Sequence, residues 1–170
     1  MAISFVRVDD RIIHGQVVIR WLAERQADGV IAVDDVAAKN PIIAKALKTA
    51  VPGPLKAFVM TVSHTAERWQ DIVKSPKRYF LIAKSPATLV RLYQAGADLP
   101  SQQQSLDVGP MSVRQGARKV GPNANITEED MKAFEFLIDH GMTVYFQLVP
   151  DSKKTTWEEA KAEFKKVRQN

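Results

Sequence analysis

Ile3-Ser4-Phe5-Val6-Arg7-Val8 runs directly into Asp9-Asp10-Arg11-Ile12-Ile13-His14-Gly15, and Gln16 to Ala27 then carries apolar residues at Val17, Val18, Trp21 and Leu22. A β-rich run, a polar loop and a helical period describe a strand, a turn and a helix. The same alternation continues downstream. After Gly29, Val30 to Val33 reads as a second strand. Pro41 to Ala50 has helical spacing at Ile42, Ile43, Ala46 and Leu47, and Pro52-Gly53-Pro54 stops it. Ala57 to Val62 is predicted as a third strand, Thr65 to Val73 as a third helix and Tyr79 to Ala83 as a fourth strand. Pro86 suits the first position of a helix over Ala87 to Gln94, closed by Gly96. A polar loop around Gln102 to Gln104 leads to a weak strand at Ser105 to Val108. Thr127 reads as an N-cap with Asp130 three residues on, and acidic residues fill the first turn. That helix ends at His140-Gly141. Thr143 to Val149 is the last strand expected, and Trp157 to Val167 the terminal helix. Strands alternating with helices predict an α/β chain: an open, mostly parallel, Rossmann-like sheet with helices on both faces. No repeat or long linker divides it, so residues 1–170 are read as one domain.

Composition narrows the function classes. The 170 residues are 45% hydrophobic and 25% charged, which are ordinary globular values. Cysteine is absent, excluding disulfides, thiolate nucleophiles and Cys-based metal centres. The start MAISFVRVDD has no basic segment followed by a long apolar run, and no eighteen apolar residues stand together. A cytoplasmic chain is expected. Lys plus Arg is 24 against 19 Asp plus Glu, giving +5 and a pI near 9.5. Such a balance admits anionic partners, nucleic acid among them. The densest basic cluster, Lys161, Lys165, Lys166 and Arg168, however, alternates with Glu158, Glu159 and Glu163, as on a solvated helix face. No aromatic residues interleave with the basic ones, so no nucleic-acid partner is expected.

In an open α/β sheet, ligands bind outside the carboxyl ends of the strands. The first such loop, Asp9 to Gln16, is the densest polar cluster beside a strand end. A helix start favours an anion and disfavours imidazolium, which leaves His14 a lone pair for attack. Arg11 can grip a phosphate or carboxylate with a fork of donors, and Gly15 lets the backbone approach an anion closely. Asp9 or Asp10 can orient the imidazole or pin Arg11. This combination fits phosphoryl transfer through a nucleophilic histidine. The residues alone equally allow His14 as a capping or packing histidine and the aspartates as turn residues. A receiver domain is excluded, because Val62-Ser63-His64 stands where its phospho-accepting aspartate belongs. A glycine-rich first turn and a P-loop ending are both missing, so neither nucleotide-binding motif is present.

The stretch Phe5 to Val17, with its Asp-Arg-x-x-His-Gly-Gln core, closely resembles the active-site segment of the IIB component of the mannose/fructose/sorbose family of the bacterial phosphotransferase system. Val33-Asp34-Asp35-Val36-Ala37, Asn40-Pro41-Ile42 and Asn125 to Phe134 resemble further family segments, and the likeness covers nearly the whole chain. It implies a cytoplasmic phosphocarrier at the inner face of the membrane. A IIA phosphohistidine would donate to His14, and a sugar held by the membrane components IIC and IID would accept. Arg11 matches the family arginine beside the phosphorylated histidine, and Gly15 and Gln16 match the residues that open the first helix. No metal or organic cofactor is implied, since the incoming phosphoryl group is already activated. The sequence leaves the oligomeric state open, a homo-oligomer included. The rival reading is a non-catalytic, phosphorylation-dependent regulatory module.

Near the fifth strand the family usually carries Asn-x-Gly-Gly-Met, whereas this chain has Asp107-Val108-Gly109-Pro110-Met111. If Asp107 faces the phosphate pocket, its charge weakens anion binding. Pro110 removes a backbone donor. The stretch Pro100 to Ser105 also looks longer than usual. Ser63 is a candidate hydrogen-bond donor to a bound phosphate and His64 a candidate neighbour of the same cleft; otherwise both belong to a helix cap. His140 fits a helix C-terminus, and Trp21, Trp69 and Trp157 fit the core or an interface.

Overall fold

A computed structural model describes residues 1–166. The chain begins β1 (Ile3–Val8), α1 (Gly15–Glu24), β2 (Gly29–Val33), α2 (Asp35–Lys39), α3 (Pro41–Ala50) and β3 (Lys56–Met60). It continues α4 (Val62–Glu67), α5 (Trp69–Val73), β4 (Tyr79–Ala83), α6 (Pro86–Gln94), α7 (Leu99–Gln102) and β5 (Ser105–Val108). Last come β6 (Arg118–Gly121), β7 (Ala124–Ile126), α8 (Glu128–Asp139), β8 (Thr143–Phe146), β9 (Thr155–Thr156) and α9 (Trp157–Lys166). Among the described residues, seven strands form one sheet in the order β3-β2-β4-β1-β5-β8-β9, and β6 and β7 form a separate antiparallel hairpin. All pairings in the large sheet are parallel except β8 with β9.

The central strands are buried on both faces, which is why they read as near-continuous apolar runs. Alternate residues feed two layers. Val30, Ala32, Phe80 and Ile82 pack with Val18 and Trp21 of α1, while Ile31, Val33, Leu81 and Ala83 pack with Leu89, Phe134 and Phe164 on the other face. Helices thus cover both sides, as the alternation predicts.

Several boundaries differ for local reasons. The third strand ends at Met60 because Thr61, whose hydroxyl accepts the His64 amide, already caps α4. The expected third helix is broken at Arg68 into α4 and α5. The last strand stops at Phe146, since the Gln147 side chain donates to the Pro150 and Ser152 carbonyls and turns the chain back. The α2 helix, the α7 turn and the β6–β7 hairpin were not expected from periodicity; each is too short to show a clear period. Val167 of the expected terminal helix and Arg168 of the basic cluster lie outside the described residues. The reciprocal capping box of Thr127 and Asp130 is present at the start of α8.

The strand order fixes where a ligand can sit. β1 leads to β2 on one side, across β4, whereas β5 leads onward to β8 on the other. The carboxyl ends of β1 and β5 therefore form the switch point, where loops diverge and leave a crevice.

Candidate functional site

The loop after β1 enters that crevice and ends at His14, the N-cap of α1. The His14 carbonyl accepts the Val17 and Val18 amides at 3.0 Å, while its side chain makes no capping bond. Its Nδ1 is buried without a hydrogen-bond partner, beside a small cavity of about 10 Å³ lined also by Arg7, Asp9 and Trp21. The amides of Gly15 and Gln16 open the helix and have no partner within it. Gly15 also meets a packing need. A Cβ there would lie 2.6 Å from the carbonyl oxygen of Ala50 at the end of α3, so its smallness serves helix packing.

The turn itself is strained. Ile12 has φ +62°, a left-handed value that β-branched residues rarely adopt. Its amide donates to the Asp9 carbonyl at 2.9 Å. The Asp9 carboxylate accepts the Arg11 amide at 3.0 Å and lies 3.5 Å from Arg11 Nε. Asp9 thus meets Arg11, one of the two partners the sequence left open for the aspartates. The Arg11 side chain is 41% exposed. Its Nη1 and Nη2 have no partner among the described residues. Asp10 points elsewhere: its carboxylate accepts the Ser112 amide at 2.7 Å and the Ser112 hydroxyl, and its own amide donates to the Pro110 carbonyl at 3.0 Å. Asp10 therefore ties the loop after β1 to the loop after β5.

Sequence reasoning did not single out Arg7, and it left open whether Asp107 faces an anion pocket. Asp107 does not face an anion pocket; it is fully buried and ion-paired with Arg7, itself 1% exposed. The two are register partners on adjacent parallel strands. A charged residue next to last in each of two apolar runs was the available signal. Burial pushes the Asp107 carboxyl up to about 7, against the opposing pull of the Arg7 guanidinium.

Ser63 and His64 do not join this cluster. They follow β3, the edge strand, with β2 and β4 between it and β1. At the usual strand spacing that is roughly 14 Å across the sheet. The Ser63 hydroxyl pairs with Thr61 Oγ1 at 3.2 Å, and His64 Nδ1 lies 3.7 Å from Glu67. His140 caps the end of α8 and stacks on Phe136, and all three tryptophans are buried.

On the other side of the β1 loop, a cleft of about 580 Å³ opens between Asp10, Asp34, Lys84, Ser112, Arg114 and Asp130. Its charges are mixed, and Arg114 is already paired with Asp130. Among the described residues, no cluster of three or more His, Asp or Glu side chains is placed to hold a metal ion.

This geometry coincides with a known family. The family model for the sorbose-subfamily IIB component of the phosphotransferase system (PTS) matches residues 3–170. The chain belongs to that family. The fructose-specific EIIB component of Bacillus subtilis is 30% identical over 150 residues, covering 88% of this chain and 90% of the relative. The mannose-specific EIIAB component of Escherichia coli K12 is 29% identical over 154 residues, covering 91% of this chain but 46% of the longer relative. Among solved structures, manxB from Thermoanaerobacter tengcongensis superposes with a TM-score of 0.85 at 26% identity, covering 95% of this chain and 96% of that one. The IIB domain of the Klebsiella pneumoniae sorbose permease gives 0.86 at 22% identity, covering 96% and 98%, and bears on the fold. This protein is thus a IIB component of a sugar phosphotransferase system, with the mostly parallel α/β fold of its relatives.

Proposed function

We propose that this IIB component is a phosphocarrier in which His14 receives a phosphoryl group from a IIA phosphohistidine and passes it to a sugar. The observation that carries the reading is the placement of His14 at the start of α1, on the switch-point crevice, with Arg11 in the same turn. A lone pair on the imidazole attacks the phosphorus of the donor. The donor's N–P bond breaks as the new N–P bond forms, and the donor imidazole leaves with its electron pair. The free amides of Gly15 and Gln16 and the outer nitrogens of Arg11 neutralise charge on the equatorial oxygens. Asp9 holds Arg11, and Asp10 holds the neighbouring loop. Ser63 has no part in this step.

The name of the E. coli relative, a mannose-specific EIIAB component, supports a IIA partner as donor. No helix among the described residues is long and apolar enough to cross a membrane. Docking on the membrane components IIC and IID would bring the carrier to the inner face and to its sugar.

The test mixes the purified protein with phosphoenolpyruvate, the general phosphotransferase proteins and a series of IIA donors, then maps phosphate by mass spectrometry at neutral pH. One acid-labile phosphoryl group on His14, absent in His14→Ala, is the expected result. No label from any donor overturns the phosphocarrier reading and leaves a regulatory binding module.

A further inference from the structure

The next-to-last position of β1 holds a charged residue among apolar neighbours. Arg7 lies in a central strand between Val6 and Val8, and its guanidinium sits 5.8 Å from the ring of Trp21. Desolvating such a group is costly, and an apolar side chain of similar volume often serves stability as well or better. The structure nevertheless satisfies this guanidinium throughout. Nε and Nη2 face Asp9 Oδ2 at 3.4 and 3.3 Å. Nη1 donates to Asp107 Oδ2 and, at 3.0 Å, to the Gln147 carbonyl; Nη2 donates to the Leu148 carbonyl at 3.1 Å. Gly109 keeps the space open, since a Cβ there would run into the guanidinium.

The far side of Asp9 faces the reacting loop. While Oδ2 is held by Arg7, Oδ1 holds the Arg11 amide and Nε. The Asp9 carbonyl also receives the amide of Ile12, the residue with positive φ. A turn of that kind persists only where its surroundings over-determine it. A continuous line of contacts therefore runs Asp107–Arg7–Asp9–Arg11, from a buried strand to the exposed guanidinium of the site.

We propose that Arg7 is a positioning residue for phosphoryl transfer: anchored by Asp107 and the carbonyls after β8, it fixes Asp9 and through it the plane of the Arg11 fork. The proposal rests on the phosphocarrier reading. A guanidinium grips an anion through donors in one plane, so the Nε contact with Asp9 sets where the free Nη1 and Nη2 point. Arg7 itself is too deeply buried to touch the phosphoryl group.

A double-mutant cycle tests this. The rate of His14 labelling is measured for wild type, Arg7→Lys, Arg11→Ala and the double variant, with phosphorylated IIA as donor and with phosphoramidate as a partner-independent one. Lys keeps the charge and loses the fork. If Arg7 acts through Arg11, Arg7→Lys slows labelling about tenfold in the wild-type background and leaves it unchanged in the Arg11→Ala background. Equal slowing in both backgrounds, or none in either, overturns the proposal while the carrier reading stands. Failure of wild type to label with either donor overturns both. Should Arg7→Lys not fold, as judged by circular dichroism, Asp107→Asn replaces it in the same cycle, because it keeps the side-chain shape and removes the charge that anchors Arg7. The same two patterns then decide.

Discussion

The carbonyl oxygen of Ala50 stands 2.6 Å from the position a Cβ on Gly15 would occupy. The first residue of α1 and the last of α3 therefore touch backbone to side-chain position, and the start of α1 is wedged against a neighbouring helix end. Gly15→Ala must push the two apart. Overpacking of this kind costs about 1–3 kcal/mol, and the thermal midpoint should fall by several degrees, roughly 2–4 °C per kcal/mol at this chain length. Differential scanning calorimetry checks it. An unchanged midpoint would show that α3 yields freely and that Gly15 is not held by packing.

The charge of Asp107 gives the fold a defined pH response. Its carboxyl faces Arg7 from β1 and pairs in register with Tyr145 of β8, and Arg25 also acts on it. Burial raises it from 3.8 to about 7. Across that window the folded chain keeps a proton that the unfolded chain has released, so stability is lost as pH rises through it. Asp107→Asn removes this dependence. Urea unfolding at pH 5 and pH 8 should show wild type losing more stability than the variant, with a ceiling of about 3 kcal/mol, because only the roughly two pH units between pH 5 and the folded value count. Parallel losses in the two proteins would mean that Asp107 is ionised throughout.

Sequence patterning gave β1, β4 and the cap of α8 where they lie, because each is a mostly apolar run or a local side-chain signal, and it gave β5 from a weaker pattern that Ser105 and Asp107 interrupt. The loop from Asp9 to Gln16 was legible for the same reason: its residues are contiguous. What escaped depends on distance in the chain. Arg7 and Asp107 are a hundred residues apart and meet only once strand order is known. Ser63 was placed beside the site because it follows a strand end, and strand order then put that strand at the sheet edge. The β6–β7 hairpin is short and polar, so no alternation announced it.

Asp130 joins the capping box of α8 to the loop after β5. It accepts from the Thr127 amide at 2.9 Å and is ion-paired with Arg114, whose Nη1 donates to the Ser112 and Asn125 carbonyls at 3.2 and 3.0 Å. Ser112 in turn holds Asp10. Thr127→Ala removes a cap and should cost about 1 kcal/mol. Asp130→Ala removes the cap and releases Arg114 as well, so it should cost more. Hydrogen exchange separates the two effects: amides from 109 to 117 should exchange faster in Asp130→Ala and remain as in wild type in Thr127→Ala. Equal exchange in both would show that Arg114 does not hold this loop.

Arg11 and Ser63 make opposite predictions for the same assay. Arg11 lies three residues before His14, with Nε directed to Asp9 and its outer nitrogens without partners among the described residues. Removing it takes away charge stabilisation that matters most as the phosphoryl group is transferred, a loss of about 10²-fold or more in rate for a donor of this kind. Since the side chain is 41% exposed, the fold should be little affected. Ser63 already bonds to Thr61 at the far edge of the sheet, and Ser63→Ala should leave the labelling rate of His14 unchanged. Single-turnover labelling of the two variants side by side reads both. A slow Ser63→Ala would bring the β3 end back into the site, and a fast Arg11→Ala would leave the helix-start amides as the whole of the anion cradle.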